Sequence, residues 1–146
     1  MENIILIRAL QKTDINRVAE IWLDANLQAH SFIPVQYWES NLSAVKDMLP
    51  RAEVYVYESD QMIHGFIGLS GDYIEGLFVS EAMRSHGIGT CLLNFIKAKK
   101  PKLRLQVYQK NSRAIRFYQK EGFVIHREGF DEDTGEKDYE MIWQPK

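Results

Sequence analysis

The most informative part of the sequence is residues 77–90, which read Leu77-Phe78-Val79-Ser80-Glu81-Ala82-Met83-Arg84-Ser85-His86-Gly87-Ile88-Gly89-Thr90. An apolar strand pattern is followed by a turn with two glycines and then by the start of a helix. This order points unpaired backbone N–H groups outward at the positive end of a helix. Because Gly87 and Gly89 lack side chains, an anion can approach their backbone closely. We therefore expect the loop from Arg84 to Thr90 to bind an anionic group, with Arg84 adding positive charge at its mouth.

The spacing of these glycines excludes the two best-known phosphate-binding loops. The chain has no G-x-x-x-x-G-K-[ST] motif, and Asn94 stands near the place of the third glycine in a dinucleotide-binding fingerprint. Two glycines can also form only a turn and a helix cap. The strand before them and the helix after them favour a binding loop instead.

The hydrophobic periodicity of the whole chain predicts the element order β-α-α-β-β-β-α-β-α-β-β. Helices are expected to begin at Thr13 or Asp14, at about Pro34, after Gly89, and at Asn111 or Ser112. Strands are expected at residues 4–10, 53–58, 62–69, 73–80, 103–107, 123–129 and 138–143. The predicted fold is a single α/β domain over residues 1–146, with a mixed, mostly antiparallel sheet covered by helices.

The bulk composition narrows the possible partners and compartment. Hydrophobic residues make up 45% and charged residues 26%, as in soluble globular proteins, and a net charge of −2 offers no general basic surface for nucleic acid or an anionic membrane. Ile4 to Ile7 is too short an apolar run for a secretory signal. Cys91 is the only cysteine, which excludes an internal disulfide; it follows Thr90 in a helical pattern and is expected in the core. The four histidines are scattered, so no metal site is expected. We expect a cytoplasmic protein.

A second segment of the sequence makes the interpretation of this loop more specific. It reads Val107-Tyr108-Gln109-Lys110-Asn111-Ser112-Arg113-Ala114-Ile115-Arg116-Phe117-Tyr118 and closes with Glu121-Gly122-Phe123. Together with Arg-x-x-Gly-x-Gly after Leu-Phe-Val, it resembles the two signatures of the GNAT superfamily of acetyltransferases. The combination with His30-x-Phe32-Ile33 and Tyr37-Trp38 is similar to small bacterial acetyltransferases of the YiaC type.

The resemblance implies a chemistry and a cosubstrate. An acetyl group moves from acetyl-coenzyme A to a primary amine by direct attack in a ternary complex, without a metal. The acceptor is a small amine, a protein lysine or a protein N-terminus. The loop would hold the pyrophosphate, and the strands from residues 73 and 103 would splay apart to admit the cofactor arm. The implied cofactor-binding residues are Leu77, Phe78, Val79, Arg84, Ser85, His86, Gly87, Ile88, Gly89, Thr90, Asn111, Ala114 and Phe117.

The resemblance also assigns candidate catalytic residues. A phenol at Tyr118 could protonate the departing thiolate, although a tyrosine on an amphipathic helix can equally be a core residue. Glu75 lies at alternate spacing with Leu77 and Val79, so it could face the cleft and hold a water that takes the proton of the amine. An exposed strand carboxylate is the competing interpretation. His30 is an alternative base.

The acceptor side is expected in the first two helices and the last hairpin. Aromatic residues there, with an acidic rim at Asp131 to Asp133, suit a cationic amine. The predicted substrate residues are His30, Phe32, Tyr37 and Trp38, and Phe130 and Tyr139 are further aromatics. A domain that binds coenzyme A without catalysis, or an interaction module, remains the alternative to an enzyme.

Overall fold

The computed structural model describes residues 4–145, so residues 1–3 and 146 of the predicted domain lie outside the described residues. The element order is the predicted one. The helices are α1 (Ile15–Ala29), α2 (Val35–Met48), α3 (Ile88–Lys97) and α4 (Ser112–Lys120). The strands are β1 (Ile5–Ala9), β2 (Glu53–Ser59), β3 (Met62–Ser70), β4 (Tyr73–Val79), β5 (Leu103–Tyr108), β6 (Val124–Phe130) and β7 (Lys137–Trp143).

The strands form one seven-stranded sheet in the order β1-β2-β3-β4-β5-β7-β6. All neighbours are antiparallel except β4 and β5, which confirms the mixed, mostly antiparallel sheet. The parallel pair is joined only at its start, where Tyr73 lies opposite Arg104 and Ile74 opposite Leu105. Beyond these residues β4 and β5 diverge, so the predicted splay is confirmed.

Local sequence signals fix both ends of α4, whereas the expected cap of α1 does not form. Asn111 caps α4, because its side chain accepts a hydrogen bond from the backbone N–H of Ala114 at 3.2 Å. Gly122 follows α4 with φ of 96°, the left-handed conformation expected of a glycine there. Asp14 precedes α1, but its carboxylate accepts from Arg8 and from the backbone of Gln11 instead of capping the helix.

Helices cover the two faces of the sheet unequally. One core packs α3 and α4 against β3, β4, β5 and β7, and the other packs α1 against β2 and β3. On β5, Leu103, Leu105 and Val107 are buried beneath α3 and α4, whereas Arg104 and Gln106 are exposed on the opposite face. The face of the sheet that α1 covers at β2 and β3 is therefore not covered by a helix at β5. Cys91 is exposed on α3, so the prediction of a core cysteine is wrong; α3 buries Leu92 and Leu93 instead.

Candidate functional site

A cavity of about 620 Å³ opens where β4 and β5 diverge. The end of α1, the loop after β4, the start of α3 and the start of α4 form its walls. Its volume lies within the usual range of small-molecule and cofactor sites. Its lining residues are Ala25, Gln28, Ala29, His30, Leu77, Phe78, Val79, Met83, Arg84, Ser85, Gly87, Ile88, Gly89, Thr90, Lys110, Asn111, Ser112, Arg113, Ala114, Phe117 and Tyr118.

The start of α3 presents backbone amides to this cavity. Gly87 stands before the helix with φ of 78°, and no side chain caps the first turn. The first amides of a helix have no partner within the helix, so those from Ile88 to Thr90 are available to an anion. A Cβ atom on Gly87 would meet nothing within 4 Å, which leaves its surroundings open. Gly89 has a different reason to lack a side chain, because its Cβ would lie 3.0 Å from the ring of Phe117.

Strand β4 carries a bulge next to the cavity. Leu69 pairs with Ile74 and Gly68 pairs with Gly76, which leaves Glu75 without a partner on β3. Glu75 is exposed and is absent from the cavity lining. It lies near Tyr73, whose pKa is raised to about 12 by burial and, secondly, by the Glu75 carboxylate. The structure thus places Glu75 beside Tyr73 and separates it from the cavity wall.

Tyr118 belongs to both the core and the cavity. It is buried on α4, and its ring packs against Phe117 and Phe123 with centroid distances of 5.2 and 5.4 Å. It also lines the cavity together with Asn111, seven residues earlier. Burial raises the pKa of the Tyr118 phenol, so its hydroxyl stays protonated at neutral pH. A protonated phenol is the form that can donate to a leaving anion.

His30 lies at the end of α1 and bridges to α4. Its Nδ1 atom is 3.1 Å from Oδ1 of Asn26, and its Nε2 atom is 3.1 Å from Nδ2 of Asn111. Burial lowers the pKa of His30 to about 4. The imidazole is therefore neutral at physiological pH.

Behind His30 lies an aromatic cluster that we define as Phe32, Tyr37, Trp38 and Tyr108. The His30 ring stacks on Trp38 at 5.4 Å and meets Phe32 and Tyr108 edge-on at 5.6 and 5.0 Å. Tyr37 packs edge-on against Trp38 at 4.9 Å. None of the three predicted substrate residues in this cluster lines the cavity, whereas His30 does.

The acidic turn after β6 lies close to the aromatic cluster. The Tyr108 hydroxyl donates a hydrogen bond of 2.5 Å to Asp131. The pKa of Tyr37 is raised by burial and by the nearby carboxylates of Asp131 and Asp133. Negative charge is therefore concentrated beside the aromatic rings, as the sequence predicted.

Comparison with known proteins decides the family. The model of the acetyltransferase (GNAT) domain family matches residues 50–125, about half of the chain. The chain belongs to the GNAT acetyltransferases. The family and the class of enzyme predicted from the two signatures are thereby confirmed.

Two curated relatives agree with this assignment, and two solved structures share the fold. The chain is 33% identical to the peptidyl-lysine N-acetyltransferase YiaC of Escherichia coli (strain K12), over 94% of this chain and 96% of the relative. It is 29% identical to the peptidyl-lysine N-acetyltransferase YjaB of the same organism, over 95% of each. The solution structure of apo-form YjaB from Escherichia coli has a TM-score of 0.86 at 24% identity, covering 96% of this chain and 97% of that one. The PaiA N-acetyltransferase of Thermoplasma acidophilum, solved with coenzyme A, has a TM-score of 0.81 at 21% identity, covering 97% and 99%.

The residues of this GNAT site fit the parts of an acetyl-coenzyme A molecule. The open amides at the start of α3 suit its pyrophosphate. The edge of β4 that faces β5 has no ladder partner on β5 beyond Ile74, so it can pair with an extended amide arm. The apolar wall of Leu77, Val79 and Phe117 suits the carbon chain of that arm. Of the predicted cofactor residues, His86 alone is missing from the lining; its Nδ1 atom contacts the backbone oxygen of Arg84 at 2.9 Å.

Sequence reasoning missed two cations and one aromatic ring in this GNAT site. Lys110 and Arg113 line the cavity on either side of the cap of α4. The Lys110 ammonium lies 5.3 Å from the Phe32 ring and 3.1 Å from Glu136. Tyr108 joins the aromatic cluster because β5 extends one residue beyond its predicted end. All three stand in the quoted segment 107–118, but only the fold shows which way they point.

No helix within residues 4–145 is both long and apolar enough to cross a bilayer. The same residues hold no group of three or more histidine, cysteine, aspartate or glutamate side chains arranged to bind a metal ion.

Proposed function

We propose that this GNAT domain transfers an acetyl group from acetyl-coenzyme A to the ε-amino group of protein lysines, by direct attack in a ternary complex. The observation that carries the proposal is the meeting, in one cavity, of the open amides of α3, the separated edges of β4 and β5, and the buried phenol of Tyr118. The names of the relatives YiaC and YjaB, both peptidyl-lysine N-acetyltransferases, support the class of acceptor.

The cofactor half of the cleft consists of the loop Arg84 to Thr90, β4 and the start of α4. The α3 amides and the Arg84 guanidinium hold the pyrophosphate. The β4 edge pairs with the pantetheine arm, and Asn111 donates to it. Acetyl-coenzyme A supplies an activated thioester, so the chain itself has only to orient it, stabilise charge and move protons.

Tyr118 acts when the carbon–sulfur bond breaks. The acceptor nitrogen bonds to the thioester carbon, the electron pair of the broken bond goes to sulfur, and the Tyr118 hydroxyl gives its proton to the thiolate. The position of Tyr118 supports this role, because its phenol is protonated at neutral pH and lines the cavity. A backbone N–H on β4 stabilises the negative charge on the thioester oxygen, worth about 3 kcal/mol in comparable oxyanion holes.

The amine must lose a proton before it attacks. Glu75 is exposed on β4 beside Tyr73 and does not line the cavity, so its proposed part is to hold a water that accepts this proton. His30 is the weaker candidate, because its Nε2 atom already faces Asn111 at 3.1 Å.

The acceptor lysine enters along the aromatic cluster and the acidic turn. A lysine carries an alkyl chain, which suits aromatic walls, and an ammonium, which suits the carboxylates of Asp131 and Asp133. The Lys110 side chain already shows this pairing, with its ammonium over Phe32 and beside Glu136. We also propose a cytoplasmic location.

A thiol-release assay with three acceptors tests the proposed function. One peptide carries a single lysine and a blocked N-terminus, the second replaces that lysine with arginine, and the third has a free N-terminus and no lysine. We expect release of coenzyme A with the first peptide alone. Tyr118→Phe should lower turnover by roughly 10² to 10⁴, with little change in the affinity for coenzyme A.

Each other result reassigns the function. Release with the third peptide, or with a small polyamine but not with the lysine peptide, would move the acceptor to another class of amine. Coenzyme A binding without turnover on any amine would favour the alternative of a domain that binds coenzyme A without catalysis. Wild-type turnover in the Tyr118→Phe variant would leave Tyr118 a core residue.

A further inference from the structure

A chain of side-chain hydrogen bonds runs from the middle of α1 to the cap of α4. It links Trp22, Asn26, His30, Asn111 and Ala114. We propose that His30 is a positioning residue: held by Asn26, it fixes the side-chain amide of Asn111 toward the cofactor arm, and it does not accept the proton of the amine. This inference rests on the proposed function only in assuming that coenzyme A occupies the cavity.

The donors and acceptors in this chain allow one assignment. The backbone N–H of Ala114 donates to Oδ1 of Asn111, so the atom of Asn111 that faces His30 is its Nδ2. An amide nitrogen can only donate, so Nε2 of His30 accepts. The proton of the neutral ring is therefore on Nδ1, which donates to Oδ1 of Asn26. Nδ2 of Asn26 in turn donates to the backbone oxygen of Trp22 at 2.8 Å.

The surroundings hold the imidazole in this neutral form. Asn26 is only 3% exposed, and the ring packs between Trp38 and Tyr108. The ionisable groups on this side are Tyr37 and Tyr108, the carboxylates of Asp131 and Asp133 beside them, and the Lys110–Glu136 ion pair next to the Phe32 ring. Protonation of Nε2 would set two donors against each other at 3.1 Å and break the link to Asn111.

This assignment leaves Asn111 with one free donor. Its Oδ1 accepts from Ala114, one N–H of Nδ2 points to His30, and the second N–H remains. Asn111 lines the cavity, so that second N–H is the one available to the cofactor arm. The lone pair of Nε2 is already engaged, which removes His30 from the candidates for the base.

A matched pair of substitutions tests this role. His30→Gln carries a carbonyl oxygen that reaches the place of Nε2 and can still accept from Asn111. His30→Asn reaches only the place of Nδ1 and cannot. Neither side chain is a base. Titration calorimetry on the full chain with coenzyme A should show about five- to tenfold weaker binding for His30→Asn, the effect of one lost hydrogen bond, and a clearly smaller loss for His30→Gln.

The cofactor-free protein gives an independent readout. Nitrogen-15 spectra of the wild-type imidazole should show His30 protonated on Nδ1 and not on Nε2 at neutral pH. Protonation on Nε2, or equal coenzyme A affinities of the two variants, would overturn the inference. So would an equal loss of turnover in both with unchanged affinity, since that result indicates a base. A wild-type chain that binds no coenzyme A would instead contradict the proposed function. In that case the tautomer of His30 would still show whether the hydrogen bonds to Asn26 and Asn111 have the proposed directions.

Discussion

The two halves of the cleft are built in different ways. The proposed cofactor half consists mainly of backbone: the amides of α3, the unpaired edge of β4 and the turn at Gly87, all within residues 73–90. The proposed acceptor half consists of side chains from three distant parts of the sequence, namely residues 30–38, Tyr108 and the turn after β6. A binding site made of backbone atoms tolerates substitution of most side chains but depends on a few glycines. Binding at a site made of side chains depends on each aromatic ring that forms it.

The largest effect is expected from a change in the backbone half. Coenzyme A at 100 times its dissociation constant should stabilise the wild-type fold by about 2.7 kcal/mol. Gly87→Val forces a β-branched residue to φ of 78° at the start of α3 and should abolish this stabilisation. Thermal unfolding with and without coenzyme A measures the difference.

A second glycine provides the control for strain. Gly71 also has a positive φ, of 62°, with nothing within 4 Å of its Cβ position, but it lies in the turn between β3 and β4. Gly71→Val should lose stability and keep the full shift with coenzyme A. Equal shifts in both variants would show that the loop does not bind the pyrophosphate. Gly89 is unsuitable for this test because its substitution also displaces Phe117.

A smaller effect is expected on the acceptor half. Tyr37 is partly exposed, so Tyr37→Ala should raise the KM for a lysine peptide by about tenfold, roughly 1.4 kcal/mol, with little change in the KM for acetyl-coenzyme A. The exposed neighbour Gln36 supplies the control, as Gln36→Ala should change neither constant. A rise in the KM for acetyl-coenzyme A would instead show that Tyr37 acts on the cofactor side of the cleft. Trp38→Ala is a poorer test, because removing a buried tryptophan costs about 3–5 kcal/mol of stability.

The smallest effect concerns the residue between the two halves. The pKa of His30 is about 4 in the folded protein against 6.5 for the free side chain, so the unfolded chain binds more protons between these pH values. The free energy of unfolding should therefore fall as the pH drops through this window. The full pKa difference corresponds to about 2 kcal/mol between pH 7 and pH 5, but His30 is partly exposed and solvent screens it. We therefore expect the wild type to lose about 1 kcal/mol more than His30→Gln over this range, measured by urea unfolding. Parallel pH dependences would mean that His30 titrates normally in the folded state.

The same contrast explains how much the sequence could predict. Strand, glycine turn and helix follow one another in residues 77–90, so the backbone half was predictable. Glu75 shows where this reasoning stops: its alternation with Leu77 suggested a shared side, but the bulge at Glu75 shifts the register of β4. Periodicity cannot reveal a bulge. The bond between His30 and Asn111 spans 81 positions, so no local pattern could indicate it.

The short pairing of β4 with β5 also has a mechanical consequence. Strands β1 to β4 form one group and strands β5 to β7 another, and the ladder that joins the groups consists of two residue pairs, at Tyr73 and Ile74. A change in the angle between the groups can concentrate at this junction and leave every other ladder intact. The width of the cleft therefore depends on the angle between the two groups, which are joined by backbone only at Tyr73 and Ile74 and by the core beneath α3 and α4. A ligand that fills the gap between β4 and β5 would add contacts where the sheet itself has none.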